Sequence, residues 1–145
     1  MKKLALLGVL LCFWGCNSNE PDHLLVGNWL WTGSGGGIGG MLIKPKANER
    51  LILQFKRKGA FTIYQNDTLR LSGDYRLGTT RSIYSGKDEQ AIQMSNIVNS
   101  QPQSPGFKRY VIIWGENVIQ QLDRNSLETA SNMYDGFGSG FTRVK

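Results

Sequence analysis

After the first two dozen residues, apolar side chains return at every second position. Nowhere in that part of the chain do they return at the 3.6-residue spacing of a helix. Leu51, Leu53 and Phe55 alternate with Ile52, Gln54 and Lys56, and Phe61 and Ile63 with Thr62 and Tyr64. Leu69, Leu71, Gly73, Tyr75 and Leu77 alternate with Arg70, Ser72, Asp74, Arg76 and Gly78. Successive side chains of a strand point to opposite faces, so this pattern predicts half-buried strands in an antiparallel sheet. Turn formers punctuate the runs: Lys58-Gly59, Asn66-Asp67, Gly115-Glu116-Asn117, Asp123-Arg124-Asn125 and Asp135-Gly136. They delimit further strands over 26–31, 110–114, 118–122, 126–130 and 137–144. Residues 81–90 and 99–108 read as irregular, the second holding the loop Gln101-Pro102-Gln103-Ser104-Pro105-Gly106. Eight to ten short strands in a chain of this length must close or fold over to bury one face and their edges. Short links between neighbours favour an all-β, closed or nearly closed antiparallel up-and-down barrel over a Greek-key sandwich.

The N-terminus has another character. Met1-Lys2-Lys3 is basic, residues 4–14 form an apolar run of eleven, and Gly15-Cys16 precedes the polar stretch 17–22. This is the pattern of a secretory signal, and the run is well short of the roughly 20 residues that span a bilayer. The expected division is a signal over 1–15, a tether over 16–23 and a barrel domain over 24–145. Both cysteines, Cys12 and Cys16, lie at or before the cut, and the one histidine, His23, lies in the tether. The processed domain then has no disulfide, thiol nucleophile or thiolate metal site of its own. It also lacks the residues for a histidine-based triad or a multi-histidine zinc site. No metal, no cofactor and no catalysis are expected; Asp74 and Asp135 read as polar-face or turn residues.

The formal charge is +6, from 17 basic and 11 acidic residues, and loss of Lys2 and Lys3 with the signal leaves +4. The basic residues are scattered apart from Lys56-Arg57-Lys58, which reads as a solvated hairpin tip. For an exported protein without a basic helix, nucleic acid is not expected as a partner. A mild positive excess suits anionic lipid headgroups or an anionic ligand.

The stretch GSGGGIGG, residues 33–40, formally contains G-x-G-x-x-G. That pattern holds a phosphate only where a helix follows. Here Met41-Leu42-Ile43-Lys44-Pro45 follows, which starts no helix, and no Lys-Ser or Lys-Thr succeeds the last glycine. The stretch reads as a mobile connection free to take positive φ. In a barrel, Gly35, Gly37 and Gly40 would form a flap across the mouth.

Two resemblances sharpen this reading. Phe13-Trp14-Gly15-Cys16 resembles the lipobox of bacterial lipoproteins. The resemblance implies that Cys16 becomes the first residue and carries lipid, palmitate included, on its sulfur and amine. Asn17 in place of an aspartate points to the outer membrane. Gly27-Asn28-Trp29 resembles the opening Gly-x-Trp of lipocalins and the wider calycin group. That implies an eight-stranded barrel plugged at one end by Trp29, with Arg143 of the last strand over its indole. Leu-x-Leu-x-Phe-x-x-x-Gly-x-Phe from Leu51 to Phe61, Gly73-x-Tyr75 and Asp135-Gly136-Phe137 followed by Phe141-x-Arg143 are similar to small bacterial lipocalin-like lipoproteins. The implied activity is binding of a small hydrophobic ligand inside the barrel, with Trp31, Phe55, Phe61, Tyr75, Tyr110 and Trp114 as candidate contacts. The same large side chains could instead fill the barrel. The chain would then be a protein-binding or inhibitor-type barrel, meeting an envelope protein through its loops or the strand over 110–114, which is apolar on both faces.

Overall fold

The computed structural model describes residues 21–100 and 115–145. A one-turn helix, α1 (Pro21–Leu25), leads into nine strands: β1 (Gly27–Gly36), β2 (Met41–Ile43), β3 (Leu51–Phe55), β4 (Ala60–Gln65), β5 (Thr68–Arg81), β6 (Asp88–Asn99), β7 (Glu116–Leu122), β8 (Ser126–Ser131) and β9 (Phe137–Val144). Every pairing is antiparallel, and from β3 to β9 consecutive strands are neighbours. One edge of β1 pairs with β9 from Asn28↔Val144 to Gly36↔Phe137, which closes the sheet on itself. The other edge is shared, residues 27–30 pairing with β3 and residues 34–36 with β2. β2 and β3 thus occupy one position, and the ring has eight: an up-and-down barrel closed by the β1–β9 pair.

The alternation places Leu51, Leu53, Phe55, Phe61, Ile63, Leu71 and Tyr75 in the core with Trp29, Trp31, Ile92, Leu127 and Phe141. On the outer side, the Gln54 amide donates to Asn28 Oδ1 and its Oε1 accepts from Thr62, so polar side chains bridge β1, β3 and β4. The two-residue turn Asn66-Asp67 takes positive φ at both positions (49° and 61°), the geometry that matches the twist of a tight hairpin. Lys56, Arg57 and Lys58 are exposed at the β3–β4 tip.

Four local expectations change. Within 81–90 the irregular part shrinks to residues 82–87: β5 runs to Arg81 and β6 starts at Asp88, paired from Leu77↔Ile92 to Arg81↔Asp88. Their side chains are too polar to show alternation, and the backbone ladder is satisfied nonetheless. β7 begins at Glu116, so of Gly115-Glu116-Asn117 only Gly115 turns, at φ 67°. Asn117 is buried opposite Ile92 and Ser131. β1 continues through Gly33 to Gly36, held on both edges by β2 and β9, which outweighs the weak strand preference of glycine. Finally, the segment expected as the end of a tether is helical: His23 lies in α1, and Leu25 at its end is fully buried. The signal over 1–15, Cys16 and the segment holding the Pro-Gly loop, Tyr110 and Trp114 lie outside the described residues.

The end of the β5–β6 hairpin bends over the barrel wall. Thr80 Oγ1 of β5 donates to Glu116 of β7 at 2.7 Å, although β6 lies between the two strands. Asn132 donates to the Arg81 carbonyl and accepts from the Ile83 amide, and Tyr84 Oη donates to the Ser131 carbonyl. The outward side chains Ala91, Val118 and Ala130 on the neighbouring strands are buried.

Candidate functional site

One end of the barrel is sealed by a few residues. Trp29 and Arg143 stand opposite each other on β1 and β9. Trp29 is fully buried, and its indole N–H donates to the Leu25 carbonyl at 2.7 Å. The Arg143 guanidinium lies 4.2 Å above the indole ring. Its Nε donates to the Arg124 carbonyl (2.7 Å), Nη1 to Val26 (2.9 Å) and Nη2 to Leu24. Partial burial pulls its pKa below the usual arginine value, as expected for a cation losing water. Gly27 has φ +143°, and a Cβ there would stand 2.4 Å from Arg143 Nη1. The glycine of Gly-x-Trp is therefore the space in which the guanidinium sits.

Trp31 follows on the same face and is buried. Its Nε1 donates to Ser34 Oγ at 2.9 Å, and Ser34 Oγ lies 2.7 Å from Ser139 Oγ across the β1–β9 pair. A bulge between Trp31 and Gly33 brings Ser34 onto the inner side. Phe55, Phe61 and Tyr75 pack in the plugged half. Phe55 and Tyr75 meet edge to face at 4.8 Å, and Tyr75 Oη donates to the Lys56 carbonyl at the closed-end hairpin. Gly73 makes room for the Phe61 ring, since a Cβ there would lie 2.7 Å from it. These three aromatics fill space and line neither of the grooves described below. Tyr110 and Trp114 lie outside the described residues.

The glycine stretch forms a hairpin. Gly35 is a β1 residue paired with Leu42 and Gly138; only residues 37–40 turn, with Gly37 and Gly40 at φ 76° and 60°. Gly37 donates its N–H to the Gly136 carbonyl, and the Phe137 ring lies against it. In register, Gly33 faces Gly140 and Gly35 faces Gly138. Their bare backbone floors a groove of about 350 Å³ that opens outward between Thr32, Leu42, Gln120 and Glu128. A second groove, of about 270 Å³, lies over Asn28, Ile52, Tyr64 and Val144, with Arg50 and Asp67 paired at 3.2 Å on its wall.

The end opposite Trp29 has a different surface. Ile38, Met41 and Leu42 on the β1–β2 hairpin, Met133 and Tyr134 before β9, and Ile83 and Tyr84 on the β5–β6 loop are all exposed, Ile38 at 92% and Tyr134 at 86%. The loops are joined to one another: Gly37 N–H to Gly136 carbonyl, and Tyr84 Oη to the Ser131 and Met133 carbonyls. Behind them, Glu116 accepts from Asn132, Thr80 and Gln93, which hold its carboxyl below the usual carboxylate range. None of these rim residues is marked by the strand pattern. The signal available was large apolar residues inside turns: Ile38 amid glycines, and Met133-Tyr134 just before Asp135-Gly136. Among the described residues, no group of three or more His, Cys, Asp or Glu could hold a metal ion. No described helix is long and apolar enough to cross a membrane.

No family model matches the chain, and no curated protein does. Among solved structures, a lipocalin-like protein from Bacteroides uniformis is similar at 19% identity, with a TM-score of 0.51. The match covers 83% of this chain and 99% of that one. At that identity the likeness speaks for the fold, a lipocalin-like β-barrel.

Proposed function

We propose that this chain is a non-enzymatic binding barrel of the bacterial envelope, anchored by lipid on Cys16, most simply in the outer membrane. It takes a small hydrophobic ligand through the end opposite Trp29. The polarity of the barrel carries this reading. One end is plugged by Trp29, Arg143 and α1, whereas the other carries exposed apolar side chains on the turns around 38, 84 and 134. Eight-position barrels are wide enough to hold one small ligand. Phe55, Phe61 and Tyr75 fill the plugged half and form a floor, and Trp31 is the candidate contact lying beyond Trp29 towards the rim. No cofactor and no nucleic acid take part.

The test is native mass spectrometry of residues 21–145 made in bacteria and purified without detergent. The expected result is an added mass that organic solvent removes and that Trp31→Ala weakens while the variant stays folded. A clean apo mass with no uptake of added fatty acids would overturn ligand binding. The filled barrel would then be left with an envelope protein as partner. Anchoring is tested separately: unchanged processing under globomycin or in Cys16→Ser would refute it.

A further inference from the structure

We infer that the apolar rim opposite Trp29 seats on a lipid bilayer. Three segments far apart in the chain meet there through Gly37–Gly136 and Tyr84–Met133 hydrogen bonds. They present Ile38, Met41, Leu42, Met133, Tyr134 and Tyr84 to solvent. A contiguous exposed patch of this kind marks an interaction surface. Its chemistry selects the occupant. The tips, residues 37–43, 82–86 and 132–136, contain no lysine or arginine and one acid, Asp135. Exposed cations stand just outside them: Lys44 follows the first tip, and Arg81 and Lys87 bracket the second. Apolar tips with tyrosines among them and cations one step behind match the layering of a membrane surface. Aliphatic groups enter the acyl boundary, tyrosines sit at headgroup level, and Lys and Arg reach the phosphates. Asp88 and Asp135 offset part of this charge, so apolar contact dominates and anionic lipid adds to it. The surface is made of protruding turns and not a concave pocket, which suits a deformable bilayer better than a protein anchor residue.

This inference deepens the proposed function by placing the ligand entrance at an apolar source, and its test is separate. Residues 21–145 contain α1, all nine strands and the described core, and they lack Cys16, so any lipid contact belongs to the barrel itself. Flotation is measured with phosphatidylcholine vesicles and with the same vesicles containing phosphatidylglycerol. The protein should float with both, more strongly with the anionic mixture, and salt should remove only that increment. The pair Ile38→Asp and Tyr134→Asp, at fully solvated positions, should cut partition by about tenfold or more. In Ile38→Trp, brominated lipid should quench emission beyond the wild-type level. No flotation with either vesicle would overturn the inference, as would equal flotation of the Asp pair. A soluble dimer broken by the Asp pair, without flotation, would make a second copy the occupant and also overturn it. A retained ligand mass without flotation would sink the docking alone, and flotation without a ligand mass would sink the ligand reading alone.

Discussion

Arg143→Met removes the cation and all five donors while keeping an unbranched apolar stem over Trp29. Three hydrogen bonds to carbonyls are lost, at a net cost of about 1 kcal/mol each. The ring contact at 4.2 Å adds about 0.5–1 kcal/mol for a partly solvated cation. Partial solvation of the guanidinium and of the freed carbonyls argues for the low end, a loss of about 3 kcal/mol. For a domain of this size that is a drop in Tm of about 10 °C. Arg143→Lys keeps the charge but has no planar fork to serve three carbonyls, so it should lose about half as much. Urea unfolding, with an unchanged m-value, measures both. Gly27→Ala supplies an internal control. Its Cβ, 2.4 Å from Nη1, displaces the same guanidinium, while the strain of a side chain at φ +143° stays in both backgrounds, so the double variant should lose less than the sum of the two. A loss below about 1 kcal/mol for Arg143→Met, or additivity with Gly27→Ala, would refute the view that this arginine ties the barrel shut.

Gly73→Ala places a Cβ 2.7 Å from both the Phe61 ring and the Ser95 carbonyl and should cost about 1–3 kcal/mol by overpacking, read as a lower urea midpoint. Ser34→Ala removes the acceptor of the buried Trp31 N–H; a loss of about 1–3 kcal/mol with a changed near-ultraviolet tryptophan spectrum is expected. The Glu116 carboxyl is held low by Asn132, Thr80 and Gln93, so its ionised form favours the folded state. That stabilisation is complete above the unfolded carboxylate pKa of about 4.3 and fades as pH falls through the lower native value. Wild type should therefore lose more stability than Glu116→Gln between about pH 5 and about pH 3; parallel pH profiles would contradict this.

Much of the architecture was legible because its causes are local. Alternation in 51–55, 60–65 and 69–77, and the turn residues Asn66-Asp67 and Asp123-Arg124-Asn125, act over a few residues and reappear where the pattern placed them. The strand character of 78–81 and 88–90 was hidden because those residues are polar on both faces, and only pairing with each other and the fold over β7 stabilises them. The glycine stretch misled for a related reason. Glycine carries no propensity signal for a strand, and its pairing partners, β2 and β9, come from elsewhere in the chain.

The sequence by itself determined the class of fold, through a period of two, frequent turn residues and a strand number that forces closure. It also marked Trp29 and Arg143, by the resemblance of one short motif and one terminal residue. Tertiary structure alone decided what these residues do. Arg143 reaches carbonyls 117 and 119 residues away only because β9 closes on β1, and the one 19 residues away through the β8–β9 pair. Closure likewise gathers Ile38, Tyr84 and Tyr134 onto one rim, since a surface assembled from distant turns has no period along the chain.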